Sequence, residues 1–575
     1  MKLGKLLSIC AGIMATCLPC RAIPGDYPPS AAVRGITLLS DDTERDMAAI
    51  EAAAGYGLNH LELSHRIIHD LKSIRDTRVR GQVNTLAEAA HSLGIGEVCL
   101  WDHCLYDTDY YPDQYKAPGT GLLNLDDEGL WEWIKQDYRE MFELCPGVDG
   151  LVLTFIESGA RVEWQVSRMG PRERVAKVIE TVASVVCDEL GKSLWLRTFG
   201  YTAKDYDHIV EGFDLLTWRP GMGLMVKETP HDFFAFHPDD GFVGRLGHRT
   251  IVEFDACGEY NGQGVILGSR VEDFRRRWQR YMDMPDVVGF TARTDRMAQS
   301  QIIGTPNEIN LYTLIRCCNT PGVSSGRIYR DFINETYGPG LVKGLRPVLE
   351  AGRAAVDGAM YMLGLSSTHH SILDFEDQST YMRHVPARWN GQTTVRPGHG
   401  VDKELRWWQD IVNTLAPPQL KDPRSRQASE IPEVFEAGWL SQDEGMTPEF
   451  LRYIDKWTAD CLKTVRRGSR SLDRCRRRLT REQYGQWRDL MDRTLMCMEL
   501  RREAAICYWG GRLWDRDGGT WRTRRLGKQL SRADKRLAEM IERYRRYVAA
   551  YPAAAWDWKS DADKAEEYRW TGAER

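Results

Sequence analysis

The sequence predicts an α/β fold, a (β/α)8 TIM barrel followed by an all-α C-terminal domain. Eight short apolar runs alternate with longer amphipathic segments between residues 33 and 294, and polar or ionisable residues follow every run. In a TIM barrel each strand is followed by a helix, and the chemistry lies on the loops after the strand C-termini. Beyond residue 338 the pattern changes to long segments with helical spacing, which predicts helices alone.

The eight apolar runs have the length and composition of strands that are buried on both faces. Helical patterns separate most of them, at residues 44–55, 80–93, 130–144, 171–190 and 271–284. A doubly wound sheet would alternate in the same way, but it needs a glycine-rich phosphate turn after its first strand, and none follows here. The predicted strands are residues 35–39, 60–63, 97–101, 150–156, 193–198, 224–226, 250–254 and 287–291.

Residues 1–22 have the basic start, the short apolar stretch and the small final residue of a signal peptide. We therefore expect an exported protein that is periplasmic, at the cell surface or extracellular. Lipid attachment at Cys17 or Cys20 is the alternative, although neither context fits a lipoprotein box well. No later stretch supplies about 20 uninterrupted apolar residues, so we expect no membrane span. The barrel is then expected at residues 30–338 and the helical domain at 339–575.

The composition is that of a globular protein, with 42% hydrophobic residues in a chain of 575, long enough for two or three domains. A net charge of −5 argues against a nucleic-acid binder, and acidic residues closely follow the arginine-rich stretch 466–478. Three of the 14 cysteines lie in the leader, and the others are scattered without a CxxC pair. We expect mostly buried free thiols, with one or two disulfides at most.

Three carboxylates follow predicted strands. Asp232 comes after the run 224–226 and Glu259 after the run 250–254, both among aromatic residues, as general acid/base chemistry on a sugar requires. Glu157 directly follows a third run. An acid at the mouth of a dry barrel tends to have a raised pKa, which a proton donor to a leaving oxygen needs.

Each acid also has a structural interpretation, an ion pair with an arginine at the barrel mouth such as Arg197, Arg219 or Arg293. Other polar and aromatic residues near the predicted strand ends are candidates for binding the sugar. A tyrosine-rich loop after the third strand could form part of a sugar platform, or its tyrosines could only pack the loop. The candidates are Trp101, Asp102, His103, Tyr260, Arg293 and Asp295.

The stretches GVDGLVLTFIESG, SLWLRTFGY, MVKETPHDFFAFHP and IVEFDACGEYNGQ together resemble the barrel of the microbial α-glucuronidases, glycoside hydrolase family sixty-seven. The resemblance covers residues 147–338. It implies that Glu157 is the proton donor and that Asp232 and Glu259 together activate the hydrolytic water, by single displacement with inversion. Two such bases lying close together would share the proton. The resemblance also implies that Arg197 and Lys227 bind the substrate, and Tyr201, which follows the same strand as Arg197, is a further candidate for binding it.

The chain also departs from that family's pattern. The family's lysine four residues before the proton donor, a ligand of the sugar, is Leu153 here, and its Gly-Pro before the aspartate is Thr229-Pro230. The β-rich domain that precedes the family's barrel has no counterpart between the leader and the first strand. We therefore expect the mechanism to carry over and leave the sugar open.

We expect neither a cofactor nor a catalytic metal. His65, His103 and His231 lie at predicted strand ends but lack the HxxxH or HxH spacing of ligands on one element. The dipeptide His369-His370 lies in a Ser/Thr-rich turn and indicates a loop rather than a ligand pair.

The helical domain is predicted to contain helices at residues 345–363, 403–415, 448–467, 481–507 and 531–551. Its tryptophans, Trp407-Trp408 and those between 509 and 521, could line the barrel mouth or form a homodimer interface.

Two function classes follow. The first is an exo-acting glycosidase that removes an α-linked acidic sugar of the glucuronic-acid type from a glycan, with a sialidase or another exo-glycosidase as the alternative. The second is a non-catalytic glycan-binding protein on a decayed barrel. The partner is an oligosaccharide or glycan in both, and the presence of all three acids favours the enzyme.

Overall fold

The structure, a computed structural model, describes residues 31–200, 203–229, 232–235, 239–297, 300–362, 368–375, 447–550 and 560–572. Its centre is a closed barrel of eight parallel strands in chain order, in which the first strand also pairs with the eighth. The predicted (β/α)8 fold is therefore confirmed. The strands are β1 (Val33–Leu38), β2 (His60–Leu63), β3 (Glu97–His103), β4 (Gly150–Thr154), β5 (Ser193–Arg197), β6 (Met222–Lys227), β7 (Thr250–Asp255) and β8 (Val287–Arg293).

Helices cover the outside of the barrel after most of the strands. A helix follows each of the first five strands and β7, whereas the described residues between β6 and β7 form turns and bends. Acidic N-caps start three of these helices, because the side chains of Asp42, Asp76 and Asp127 accept from N–H groups of the first turn. The barrel helices are Thr43–Gly55, Thr77–Ser92, Glu128–Leu144, Pro171–Ala183, Ala203–Phe213 and Val271–Tyr281.

Residues alternate between the two faces of each strand. The outward residues join the large apolar core under the helices, and the inward residues form a small apolar cluster made of Cys99, Trp101, Val152, Trp195, Met225 and Ile251. Large rings fit inside because small residues face them: a Cβ at Gly223 would lie 2.4 Å from the Trp195 ring. Toward the C-terminal ends the inward residues become charged, and this places the site.

The chain beyond the barrel is helical in the part that the structure describes. The predicted helix at 345–363 is in fact two helices, Val342–Leu349 and Gly352–Met360, the first of which contains Pro347. A two-stranded hairpin, β9 (Thr368–His369) and β10 (Ile372–Leu373), follows. The remaining helices are Ile309–Asn319, Ser325–Tyr337, Pro448–Asp473, Arg481–Asp515, Arg524–Ala550 and Asp561–Glu567.

One apolar core joins the barrel to these helices. Trp487, Leu490 and Met491, from the helix Arg481–Asp515, belong to the same buried cluster as the outer face of the strands. The second half of that helix enters a separate cluster with the helices that follow it. The helical part therefore packs directly against the barrel.

Several sequence predictions can be placed on this fold. All 11 cysteines of the described residues are free thiols, ten of them buried, so no disulfide forms among them. Trp509 is buried in the second core rather than exposed at a surface. Among the described residues, no helix has both the length and the apolar character to cross a membrane. The predicted leader, the helix at 403–415 and Trp407-Trp408 lie outside the described residues.

Candidate active site

Buried charges occupy the inside of the barrel at its C-terminal end. Arg197 is the last residue of β5, and its guanidinium donates to Glu253 of β7 at 2.8 and 3.3 Å. Arg293, the last residue of β8, donates to the same carboxylate at 2.7 Å. All three side chains are at most 4% exposed. Arg197 therefore has the structural ion pair that the sequence left open, but its partner is Glu253, which was not among the predicted site residues.

Glu253 could have been found from its position. It lies two residues after Ile251 and two before Asp255, on the inward-facing side of β7. A carboxylate inside a barrel needs a cation because burial penalises its charge. The two arginines outweigh this burial and hold the pKa of Glu253 below its usual value.

Glu157 lies three residues beyond β4 and contacts His103, the last residue of β3. Its Oε2 is 3.4 Å from His103 Nε2, and its side chain is 33% exposed, whereas that of His103 is fully buried. Burial raises the pKa of Glu157, but a protonated His103 lowers it by more, so the pKa lies below its usual value. The expectation of a raised pKa is therefore wrong for this carboxyl.

The reason is that the two groups titrate as a pair. Burial lowers the pKa of His103, and the contact with Glu157 opposes this effect. A pair of this kind binds one proton that either member can carry. Glu157 and His103 are thus best described as a carboxyl–imidazole pair at the solvent-accessible side of the site.

Asp232 is held by two donors. Lys227, the last residue of β6, donates to its Oδ1 at 2.9 Å, and the Tyr260 hydroxyl donates to its Oδ2 at 3.1 Å. The Lys227 ammonium lies 3.7 Å from the centre of the Phe199 ring and 4.6 Å from that of Phe233. Burial lowers the pKa of Lys227. The structure thus brings three of the predicted residues, Lys227, Asp232 and Tyr260, into one hydrogen-bonded group.

Glu259 is surrounded by cations. Arg293 donates to its Oε2 and Arg296 to its Oε1, each at 2.9 Å, and His370 Nδ1 lies 3.0 Å from Oε1. Burial raises the pKa of this carboxyl, but Arg296, His370 and Arg293 together bring it well below its usual value. Glu259 is therefore ionised, and its partners fix both oxygens.

His370 was interpreted as a loop residue from the sequence, yet it lies at the barrel mouth. Its Nδ1 faces Glu259, and its Nε2 is 3.2 Å from the Tyr260 hydroxyl. Asp232 and Glu259 are thus connected through Tyr260 and His370. No sequence signal near residue 370 indicates this, because the contact with Tyr260 joins positions 110 residues apart.

Three predicted sugar binders have structural partners instead. Trp101 is fully buried inside the barrel, where its indole N–H donates to Glu62 at 2.9 Å, so it cannot form a sugar platform. Asp102 is fully buried and accepts from the Leu71 N–H at 2.9 Å and from the Tyr138 hydroxyl. Asp295 is fully buried and accepts from the N–H groups of two residues that follow β1. Neither carboxylate is positioned as a sugar ligand.

The tyrosines after β3 and Arg219 have structural roles. Tyr106 and Tyr111 are buried and stack on each other at 6.1 Å, so these tyrosines of the loop after β3 pack the loop. Arg219 lies before β6, at the other end of the barrel from the site, and pairs with Glu180 and Asp188. Tyr201 lies outside the described residues.

Within the described ranges, one candidate metal-ligand group lies at the start of the strands, away from this site. Ligand atoms of His60, Glu97 and Cys99 lie within 4.8 Å of one another. Both nitrogens of His60 already face carboxylates, Glu97 at 2.7 Å and Glu62 at 3.0 Å. Burial lowers the pKa of His60, but these carboxylates raise it to about 9. The ring is therefore a buried cation that serves as the counter-ion of two acids.

Comparison with known proteins relates the chain to others by fold. No family model and no curated protein matches it, so the resemblance to the α-glucuronidases stays an expectation. CpGH84B is 9% identical, with coverage of 89% of this chain and 74% of that one and a TM-score of 0.43. An O-GlcNAc hydrolase mutant of Thermobaculum terrenum is 12% identical, with coverage of 82% and 97% and a TM-score of 0.40.

A third solved structure extends over nearly the whole chain. It is a GH138 enzyme targeting pectin rhamnogalacturonan II, which is 10% identical. The match covers 94% of this chain and 83% of that one, with a TM-score of 0.51. At this identity the likeness concerns the fold. The chain thus shares with this structure the architecture of a (β/α)8 barrel followed by a helical region.

Proposed function

We propose that this protein is an exo-acting glycoside hydrolase that removes an α-linked acidic sugar, of the glucuronic-acid type, from a glycan. The observation that carries the proposal is the arrangement at the C-terminal end of the barrel. Glu157, Asp232 and Glu259 follow three different strands around a floor of buried cations. Carboxylates on the loops after barrel strands are the equipment of glycoside hydrolysis. The similarity in fold to a glycoside hydrolase that targets a pectin is consistent with this reaction.

An acidic sugar suits the cations of this floor. Arg197 Nη1 is buried and has no hydrogen-bond partner among the described residues, although the other guanidinium nitrogens of Arg197 bind Glu253. A buried donor without an acceptor costs about 1–3 kcal/mol. The carboxylate of a bound uronic acid would supply the acceptor, and a guanidinium binds a carboxylate more strongly than it binds a neutral hydroxyl.

The proton for the leaving group comes from the Glu157–His103 pair. The pair binds one shared proton, and Glu157 is its more exposed member, so in the protonated pair Glu157 donates to the glycosidic oxygen as the C–O bond breaks. His103 shares the proton with Glu157, and it therefore influences the pH at which the Glu157 carboxyl is protonated. This assignment rests on the shared proton of the pair, because the pKa of Glu157 itself lies below its usual value.

The water on the opposite face loses its proton to Asp232. Asp232 is held on both oxygens by Lys227 and Tyr260, whereas Glu259 is held by two arginines and His370, which keep its pKa well below its usual value. The water oxygen bonds to the anomeric carbon as the leaving oxygen takes the proton of the acid, which inverts the configuration. In this arrangement Glu259 stays ionised and holds Arg293, Arg296 and His370 in place at the site.

The test is the release of free monosaccharide from glycans capped with glucuronic acid, galacturonic acid, sialic acid, galactose, fucose or N-acetylhexosamine. The panel includes rhamnogalacturonan II fragments, and the expected product is one acidic sugar, whose anomer is followed by NMR to test inversion. Release of a neutral sugar alone would contradict the acidic substrate. Binding without release from any cap would favour the glycan-binding protein.

Glu157→Gln tests the acid directly. General acid catalysis contributes roughly 100- to 10,000-fold, so we expect a loss of that order in kcat on natural glycans and a much smaller loss on aryl glycosides with good leaving groups. The matched control is Glu163→Gln, which removes an acid that pairs with Arg161 on the same loop. Equal activity of Glu157→Gln and wild type on the natural glycan would remove Glu157 from the mechanism.

A further inference from the structure

The turn that carries His370 has an unusual backbone. His370 and Ser371, the two residues between β9 and β10, have φ angles of 45° and 64°. A two-residue hairpin turn with positive φ at both positions favours Asn-Gly, and that region is strained for side chains such as those of His and Ser. Such conformations persist where the surroundings hold them, and they are frequent at functional sites.

Contacts from the barrel hold the turn on one side. The Ser371 hydroxyl donates to the Glu259 carbonyl at 2.8 Å and accepts from the Gly262 N–H at 2.9 Å. The Gln263 side chain donates to the His370 carbonyl at 2.8 Å. The turn is therefore attached to the same loop after β7 that carries Glu259.

The helical part holds the turn on the other side. Arg501 donates to the Ser371 carbonyl at 2.7 Å and pairs with Asp561 at 2.7 Å. Asp561 in turn accepts from the Leu373 N–H at 2.9 Å. The Arg501 and Asp561 side chains are fully buried. Arg501 and Asp561, from two helices far along the chain, thus help to fix the position of His370.

The hydrogen bonds of the ring determine its charge. Tyr260 donates its only hydroxyl proton to Asp232, so its oxygen must accept from His370 Nε2. Glu259 is ionised between two arginines, so it must accept from His370 Nδ1. Both ring nitrogens are then donors, which makes the ring an imidazolium. The contacts with Glu259 raise the pKa of His370 against the effect of burial, in agreement with this geometry.

We propose that His370 is a positioning residue of the hydrolytic site, contributed by the helical part of the chain: its imidazolium holds Glu259 directly and holds Asp232 through Tyr260. The expected effect on turnover rests on the proposed function, whereas the contacts of His370 with Glu259 and Tyr260 do not depend on that function. The helical domain is then a component of the active site rather than an appendage to the barrel.

The first experiment measures the ring and needs no substrate. In full-length protein labelled with 15N-histidine, the His370 signals are assigned from their absence in His370→Gln. We expect both ring nitrogens to be protonated at pH 7, and we expect Glu259→Gln to lower the pKa of the ring. A neutral ring at pH 7, or a titration that Glu259→Gln does not move, would overturn the proposal whatever the protein hydrolyses.

The second experiment measures turnover of the substrate that the glycan panel identifies. Misplacing a catalytic group by about 1 Å can cost 100-fold, so we expect His370→Ala to lower kcat by about 10- to 100-fold with KM changed by less than about threefold. The matched control is His91→Ala. His91 also uses both ring nitrogens, on the Ile95 and Gly147 carbonyls, and its side chain is 35% exposed against 31% for His370.

The pH profile separates the charge of the ring from its shape. Among the residues that the structure describes, Glu259, Asp232, Tyr260 and Arg296 are charged or titratable groups that face His370. Losing the imidazolium raises the pKa of the carboxylates beside it, so the acid limb of kcat should move to higher pH in both His370→Ala and His370→Gln. An unchanged kcat and acid limb would refute the positioning role. If no glycan is hydrolysed, the proposed function fails while the NMR result still decides the network.

Discussion

At the scale of single residues, the site is a set of buried charges that neutralise one another. Glu253 lies between Arg197 and Arg293, Glu259 lies among Arg293, Arg296 and His370, and Asp232 accepts from Lys227. Burying such charges is costly unless each has its partner. A change at one position therefore alters stability as well as chemistry, and the two effects must be measured separately.

Glu259→Gln tests the link between charge and stability through its dependence on pH. The folded-state pKa of Glu259 lies well below its ordinary value of 4.5, so the carboxylate stabilises the fold above about pH 4.5, and this contribution is lost as the pH falls further. We expect the variant to lose about 3 kcal/mol at pH 7, because Arg296 and His370 lose the carboxylate that faces them and Arg293 keeps only Glu253 among the described residues. The difference from wild type should shrink as the pH falls below about 4.5, as measured by urea unfolding.

The control for this prediction is Glu189→Gln. Glu189 also pairs with an arginine, Arg139 at 2.6 Å, but its side chain is 40% exposed. Surface pairs contribute little, so its stability should follow that of wild type at both neutral and acidic pH. A pH-independent loss in Glu259→Gln would mean that packing, and not charge, causes the destabilisation.

At the scale of elements, the hairpin β9–β10 connects the two parts of the chain. It contacts the loop after β7 through Ser371, and the helical part through Arg501 and Asp561. Short two-stranded hairpins are unstable alone, so its position depends on these contacts. Arg501 therefore acts on the site through the hairpin, without touching any of the three acids in the described contacts.

Arg501→Met tests that dependence. Removing one partner of a buried ion pair costs about 3–5 kcal/mol because the other charge is left unpaired, and the hairpin loses an anchor. We expect a loss of stability of this size in urea unfolding, together with a lowered pKa of His370 in the 15N spectrum. Arg466→Met is the control, since its pair with Glu499 is 52% exposed on the arginine side. If the variant loses the expected stability but the His370 signal does not change, the position of the hairpin does not depend on Arg501.

At the scale of the whole molecule, one helix joins two cores. The first half of Arg481–Asp515 packs into the barrel-side cluster with Trp487, and its second half packs into the distal cluster with Leu513. Thr494 also accepts from the Leu267 N–H at 2.9 Å, next to the barrel. A continuous helix of 35 residues thus couples the two parts.

We expect heat unfolding to be a single transition in calorimetry, because neither core can open without disturbing the shared helix. Leu537→Ala, a fully buried change in the distal core, should cost about 2–5 kcal/mol and lower the midpoint of the whole transition. Two resolved transitions, with only the lower one moved by Leu537→Ala, would show that the barrel and the helices unfold independently.

The barrel was predictable because its signals are local. Apolar runs of strand length, helical spacing between them and polar residues after each run are properties of neighbouring residues, and the parallel topology makes all strand C-termini meet at one end. This reasoning located Glu157, Asp232 and Glu259 at that end before any contact was known. The same reasoning also predicted Trp101 and Asp102 as sugar binders because they lie near a strand end, but both side chains are buried and have structural partners.

By itself, then, the sequence determined the class of fold, the end of the barrel that holds the site and the residue types available there. Only the tertiary structure decided which charge neutralises which, as in the pair of Arg197 with Glu253 and the contact of Glu259 with His370. The physical reason is range. Strand and helix patterns arise from interactions within a few residues, whereas the charge and pKa of a buried group depend on partners that folding brings from distant parts of the chain.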